Sequence, residues 1–275
     1  MNYSLSRCAG CGLVFLNPRP ALEHSGVHHR EDGYDPFLSL RQSRGLLDTA
    51  YVRLRNWTLK WKKRLARRIT ADHGKVLDIG CGTGEFLKVL MQDYQVEGIE
   101  PEPQAAQWAR ERFGLKVHTG YLADIPLEDG KYDLVTLWHV LEHIPDPAGE
   151  LNRIHRLLSN PGKLLVALPN IRSLDARIYG SCWIAIDAPR HLWHFTHNPL
   201  ILLAAKCGFS LVQSGMLPLD TFYNTLYSEL LCREIKGAGS LLLAPLRLPL
   251  ATALSLLVGA VSGQHSGIYY IFRKT

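Results

Sequence analysis

The 275-residue chain lacks several features that would settle its class at once. It has no internal repeat and no low-complexity tract, which excludes solenoids, propellers and disordered scaffolds. Its N-terminus carries no apolar core of signal-peptide length, so a cytoplasmic, reduced setting is expected. No uninterrupted apolar run reaches the ~20 residues of a membrane span. The nearest candidate, residues 240–262, carries only Arg247 as a charge but is broken by Pro245, Arg247 and Pro249. It reads as a hydrophobic hairpin that covers a site, forms a homodimer contact or dips peripherally into a membrane. Charged residues are scarce, 20% against 47% hydrophobic, which fits a globular protein. The formal net charge of +6 is local: residues 41–70 hold 10 Lys or Arg and 1 acidic residue, and the remainder is slightly acidic. A broad nucleic-acid-binding surface is therefore not expected.

What is present is an alternation of short apolar strands and helices. Residues 1–37 are rich in Gly, Pro and His and read as irregular, and residues 38–72 as a basic amphipathic helix. From residue 73 to the end the pattern is βαβ. Strands are expected at 75–79, 96–100, 116–118, 132–139, 163–168, 209–216 and 267–272. Helices are expected at 85–93, 103–113, 147–158 and 199–206. Strands separated by single helices predict an α/β fold with a mainly parallel sheet covered on both faces. Two insertions, residues 170–198 and 217–265, fall beyond strand ends, where such folds place substrate contacts.

The first of these strands ends at Asp78 and runs into Gly80-Cys81-Gly82-Thr83-Gly84, which opens a helix. Glycines there allow a tight turn and close approach of the backbone to a ligand. Glu100 closes the next strand, about twenty residues on, where a carboxylate can accept both ribose hydroxyls. A dinucleotide fingerprint would need a third glycine where Glu85 stands. A carboxylate at that helix start opposes a pyrophosphate. It suits a ligand carrying a sulfonium and an ammonium.

The run Val76-Leu77-Asp78-Ile79-Gly80-Cys81-Gly82-Thr83-Gly84 resembles motif I of class I S-adenosylmethionine-dependent methyltransferases. Gly98-Ile99-Glu100-Pro101 resembles their ribose-binding strand end. Tyr121 to Pro126 resembles the adenine-flanking segment, with Asp124 on the amino group. Tyr132 to Val135, continuing to Trp138-His139-Val140-Leu141-Glu142-His143, resembles motif IV. Asn160-Pro161-Gly162-Lys163-Leu164 resembles the turn before the fifth strand. The resemblance spans about residues 75–209 and implies a Rossmann-like seven-stranded sheet with the last strand antiparallel. It implies S-adenosyl-L-methionine as cofactor. Its contacts are then expected at Asp78, Gly80, Cys81, Gly82, Gly84, Glu100, Pro101, Asp124, Trp138 and His139.

Two histidine groups point to the acceptor. His139, Glu142 and His143 follow the fourth strand, beside the expected sulfonium. Some ubiquinone-type O-methyltransferases, which look similar here, hold a divalent metal at this corner, but no metal is expected in this chain. Asp187-Ala188-Pro189-Arg190-His191-Leu192-Trp193-His194-Phe195 resembles a segment of many small-molecule methyltransferases. His143, His191 and His194 are the candidates for a general base, the insertion pair favoured because it can close over the acceptor. The other reading is that these imidazoles shape the pocket or lock the lid. Tyr179 and Trp183 are either an apolar wall or ordinary packing.

Arg7-Cys8-Ala9-Gly10-Cys11-Gly12 resembles the second half of a zinc ribbon fused to methyltransferases. Zinc takes four ligands and two thiolates supply half. His24, His28 and His29 could complete a site, though nothing in the spacing requires it. The basic helix either lies on an anionic membrane surface or packs its Trp and Leu face on the domain. The functional expectation is methyl transfer to a small-molecule acceptor, at a hydroxyl oxygen. The alternatives are C- or N-methylation of a sugar or lipid-like molecule, and a non-catalytic module that keeps the cofactor fold as a scaffold.

Overall fold

The computed structural model describes residues 3–20, 46–237 and 244–275. His24, His28 and His29, and the first residues of the expected basic helix, lie outside them. The chain begins with a hairpin, β1 (Ser4–Arg7) and β2 (Val14–Asn17), followed by helix α1 (Leu46–Ile69). The α/β domain then runs β3 (Lys75–Ile79), α2 (Glu85–Leu90), β4 (Gln95–Glu100), α3 (Pro103–Phe113), β5 (Lys116–Thr119), β6 (Tyr132–Trp138), α4 (Pro147–Leu157) and β7 (Leu158–Pro169). After α5 (Leu174–Tyr179) and β8 (Trp193–His194) come α6 (His197–Lys206), β9 (Phe209–Met216), α7 (Asp220–Lys236), α8 (Ala244–Ser262) and β10 (Gly267–Lys274).

Seven strands form one sheet in the order β5-β4-β3-β6-β7-β10-β9. The pairs from β5 to β7 are parallel, and β10 is antiparallel to both β7 and β9. This is the Rossmann-like sheet expected from the sequence. Its central strands are covered on both faces, so they read as continuous apolar runs: Leu134, Val135 and Leu137 on β6 and Leu164 to Ala167 on β7 are buried. Helix starts follow the local signals. Pro147 stands at the start of α4 and Asp146 caps it through Gly149 N–H at 3.0 Å. The order of strands reverses between β3 and β6, so the carboxyl ends of β3, β4 and β6 open onto one crevice.

Two parts of the chain differ from expectation. Residues 1–37 read as irregular, yet β1 and β2 form a regular hairpin with Ser4 opposite Asn17. Strand β2 pairs onward with β8, Val14 opposite His194 and Phe15 opposite Trp193, giving a second, three-stranded sheet. Short segments that pair across most of the chain length leave no local periodicity to read. Residues 240–262 read as a hairpin, yet 244–262 is one helix. Pro245 sits in its first turn, where no intrahelical N–H is needed, and only Pro249 costs a hydrogen bond.

Helices α5, α7 and α8 pack together as a cap with a small core of Ala176, Tyr179, Cys182, Trp183, Cys232 and Ala251. Tyr179 and Trp183 are thus packing residues of the cap. The Tyr179 hydroxyl donates to Glu229 at 2.7 Å, and Arg247 donates to both oxygens of the same carboxylate at 2.6 Å. Helix α8 is long and apolar enough to span a bilayer, and Leu246, Leu250, Leu257 and Val261 are exposed along it.

Leu16 on β2 is 1% exposed, so the hairpin is built into the domain. Leu16→Ala should lower the unfolding free energy by about 2–5 kcal/mol in denaturant titration. A loss below about 0.5 kcal/mol, the scale of a surface change, would mean that the hairpin folds apart from the domain.

Candidate cofactor and acceptor site

The carboxyl edge of the sheet gathers carboxylates. Asp78 at the end of β3 is 3% exposed and accepts a hydrogen bond from Thr136 Oγ1 on β6 at 2.6 Å. Burial raises its pKa to about 7, against the lowering effect of Thr136 and Lys62. Glu100 at the end of β4 is 6% exposed; one oxygen accepts from Gly82 N–H at 2.7 Å and the other from Glu102 N–H at 2.9 Å. Burial raises its pKa as well. Between these acids runs the glycine turn. Gly80 has φ +69°, and a Cβ there would lie 2.5 Å from Val140 Cγ2. Gly98 leaves room for Cys81 Sγ, which a Cβ would meet at 2.7 Å. Gly84, at φ +80°, starts α2 and lies against Ala109 and Leu115 of the α3 region. Pro101 follows β4 directly, and Asp124 is exposed in the 3-10 turn Leu122–Asp124.

The end of β6 supplies the other wall. Trp138 is half-buried and its Nε1–H has no hydrogen-bond partner among the described residues. His139 adopts φ +57°, a left-handed conformation uncommon outside glycine. That conformation sets its ring between two carboxylates, Nδ1 3.5 Å from Glu142 Oε1 and Nε2 3.3 Å from Asp220 Oδ2. Burial disfavours the imidazolium, but Asp220 and Glu142 outweigh it and raise the pKa to about 10. Asp220 opens α7 in the second insertion; no sequence motif marks it.

Behind His139, Glu142 is 1% exposed, and neither of its oxygens finds a hydrogen bond of good geometry among the described residues. The 3.5 Å approach of His139 is an ion-pair contact rather than a hydrogen bond. The loop carrying His191 closes on this point. Leu192 N–H donates to Glu142 O at 2.9 Å, and Leu192 O accepts from Leu16 N–H at 3.0 Å. The rings of His143 and His191 meet edge to face at 4.6 Å, and those of His191 and His194 lie 6.2 Å apart. All three predicted histidines therefore come together. His143 Nδ1–H donates to Arg190 O at 3.1 Å and His191 Nδ1–H to Ala185 O at 2.8 Å, so Nε2 is the basic nitrogen of each neutral ring. His194 is 3% exposed, and burial followed by the His191 charge lowers its pKa to about 4. Glu142, His143 and His191 bring one ligand atom each within 4.8 Å of one another, an arrangement that could hold a cation or share a proton.

A family model described as "Methyltransferase domain" matches residues 51–214. The chain belongs to this methyltransferase family. Its fold is the class I fold, and the family's cofactor is S-adenosylmethionine. The chain is 30% identical over 141 residues to a ubiquinone biosynthesis O-methyltransferase of Xanthomonas oryzae pv. oryzae, an alignment covering 48% of this chain and 59% of that protein. It is 30% identical over 151 residues to a demethylmenaquinone methyltransferase of Lactiplantibacillus plantarum, covering 47% and 62%. In each case it spans less than two thirds of the relative's length. Phosphoethanolamine N-methyltransferase 2 of Haemonchus contortus, solved with S-adenosyl-L-methionine, shares the fold. Its TM-score is 0.52 at 20% identity, covering 80% of this chain and 52% of that one.

The residues fit the cofactor. Gly80 takes a left-handed conformation with no room for a Cβ beside Val140, Gly82 turns its N–H onto Glu100, Glu100 keeps a second lone pair on each oxygen for hydroxyl donors, and Asp78 is a buried acid lacking an ion-pair partner among the described residues. Because Asp78 is half protonated near pH 7, a cationic ligand must pull its proton off. Affinity for S-adenosylmethionine should therefore rise as pH goes from about 5.5 to 7.5, at most tenfold per unit, and then level off. Calorimetry in buffers of different ionisation enthalpy should show proton release below pH 7. Proton uptake, or an affinity flat with pH, would show that Asp78 does not meet the cation.

Proposed function

We propose that the protein transfers the methyl group of S-adenosylmethionine to a hydroxyl oxygen of a small-molecule acceptor. The observation that carries this reading is the meeting, at the end of β6, of two buried surfaces of opposite character. On one side lie the acids Asp78 and Glu100 around an open glycine turn; on the other lie three imidazoles and Glu142. When bound, the cofactor supplies an activated methyl on a sulfonium. The chain's residues position and deprotonate. Glu100 orients the ribose, and Asp78 attracts the cationic end. Trp138 and His139 border the space between cofactor and acceptor. In-line displacement gains most from alignment, and a base adds a further ~10²–10⁴-fold for a hydroxyl.

Burial ranks the three histidines. His194 is enclosed and holds a proton too weakly to be an effective base near neutrality. His191 is 8% exposed, whereas His143 is half-buried beside Val140 and Glu142. His143 is accordingly the base in this proposal, with His191 held against it by the Ala185 carbonyl. The exposed apolar stripe of α8 favours an acceptor of low polarity and a peripheral contact with a lipid surface. The curated relatives named for ubiquinone and demethylmenaquinone give that preference some support.

The test is a screen with methyl-labelled S-adenosylmethionine against small-molecule cell extract. A labelled product whose new methyl sits on oxygen is expected, and His143→Ala should lower its rate by about 10²–10⁴-fold with cofactor affinity nearly constant. Labelling at carbon or nitrogen would overturn the hydroxyl reading. Cofactor binding without any transfer would favour a scaffold.

A further inference from the structure

Burial in the cap runs opposite to the usual pattern of a water-facing domain. The face that α7 turns inward is polar: Thr221, Asn224, Thr225 and Ser228, at helical spacing, are each no more than 7% exposed. Their partners are polar as well. Asn224 Nδ2–H donates to Ser266 Oγ at 2.7 Å, Ser266 Oγ–H donates to Asp175 Oδ2 at 2.6 Å, and the Thr225 hydroxyl meets that of Thr252 on α8 at 2.8 Å. Helix α8 buries small residues one turn apart, Ala251, Ser255 and Gly259, and turns its leucines out. Leu250 is 59% exposed, Leu257 64% and Val261 92%. The single charge on α8, Arg247, is turned inward onto Glu229. Hydrogen-bonded polar groups inside, small residues at the helix contact and leucine outside are how helices pack in a bilayer.

Charge and topology say what covers the stripe. Among the described residues, the exposed charged side chains of the cap are Arg172 just before α5, Arg177 on it, and Arg233 and Glu234 on α7. An excess of cations beside an apolar helix complements an anionic leaflet. A second copy of the chain fits less well. The cores of protein interfaces draw on aromatic side chains and arginine, whereas from Leu246 to Val261 the exposed residues of α8 are Leu, Val, Ala and Pro. The helix does not span. The chain leaves the sheet at the end of β9 and returns at the start of β10, where Met216 stands opposite Ile268. A span by α8 would need a return crossing by α7, which carries Asp220, Glu229, Arg233 and Glu234. We propose that α8 lies in the plane of a membrane, its leucine face sunk into the acyl chains of a leaflet that carries anionic phospholipid, with Arg172, Arg177 and Arg233 at the headgroups. This gives the peripheral lipid contact above a surface and an orientation. The docking stands on the cap; its consequence for the reaction rests on the methyl-transfer reading. Asp220 opens α7 and meets His139 at 3.3 Å, so the cap that holds the leaflet also touches the end of β6. An acceptor with an apolar tail then reaches the crevice without leaving lipid.

Flotation of the full chain with phosphatidylcholine vesicles, with and without phosphatidylglycerol, reads the docking. The wild type should bind both, and the anionic vesicles more tightly. Leu250→Asp and Leu257→Asp, at exposed positions outside the cofactor and acceptor site, should each weaken partition by about 10–100-fold, the equivalent of one leucine side chain withdrawn from the apolar phase. Arg177→Ala should weaken binding about fivefold on the anionic vesicles alone. Melting temperature and S-adenosylmethionine affinity should stay at the wild-type values in all three variants. Failure of the wild type to float with either vesicle, or equal flotation of the leucine variants, overturns the inference. So does a dimer in analytical ultracentrifugation that Leu257→Asp dissociates while vesicles leave the protein in solution, since α8 would then face a second copy. Methyl transfer to a soluble hydroxyl compound without flotation would sink the docking and keep the functional reading. Flotation without cofactor binding would keep the docking and sink that reading.

Discussion

Three carboxylates are buried along one edge of the sheet, Asp78, Glu100 and Glu142, each with no more than 6% of its surface exposed. Burying an ionised carboxylate is expensive unless charge or hydrogen bonds answer it. Glu100 is answered by two backbone N–H groups. Asp78 has one hydroxyl and responds by holding its proton up to about pH 7. Among the described residues Glu142 has an ion-pair contact with His139, and its pKa is lowered despite burial because His139, His143 and His191 lie near it. The crevice thus holds a standing preference for positive charge. The glycine turn lets the end of β3 pack against Val140, where a side chain at residue 80 would collide.

The rest of the fold serves this edge. The reversal of strand order opens the crevice, and the chain's additions converge on it from three directions. Helix α1 lays Trp61 and Lys62 on Trp138. The cap sends Asp220 to His139. The N-terminal hairpin adds β2 to β8 and, through Leu16 and Leu192, reaches Glu142 by two successive backbone hydrogen bonds. Arg19 rests on the Trp193 ring at 3.8 Å and closes this junction. Residues 16, 142 and 192 are therefore mechanically one unit, although they are far apart in the chain.

The half of the crevice proposed for the cofactor was legible because its signals are local. A strand ending in Asp78, a glycine run, and a second strand ending in Glu100 each announce themselves within a few residues, and the structure places them together as expected. The histidines of the two motifs were legible as residue types, but their order of burial was not, because His191 and His194 are covered by segments remote in sequence. Asp220 and Lys62 carried no signal at all. Lys62 lies among many bases on α1, and only the docking of Trp61 decides which of them turns inward. The continuity of α8 was obscured by Pro245, whose place in the first turn depends on where the helix begins.

The account stands or falls on Glu100 as the ribose acceptor, since that contact fixes which way the cofactor lies and hence which groups face the methyl. Replacing Glu100 by Gln keeps the size of the side chain and leaves one oxygen to accept backbone N–H, but removes the charge and half of the acceptors. Measured by calorimetry with S-adenosylhomocysteine, which carries the ribose but no sulfonium, Glu100→Gln should weaken binding by about 1.5–3 kcal/mol, the range for hydrogen bonds to a charged group. A dissociation constant equal to that of the wild type, in a variant with unchanged melting temperature, would place the ribose elsewhere and contradict the account.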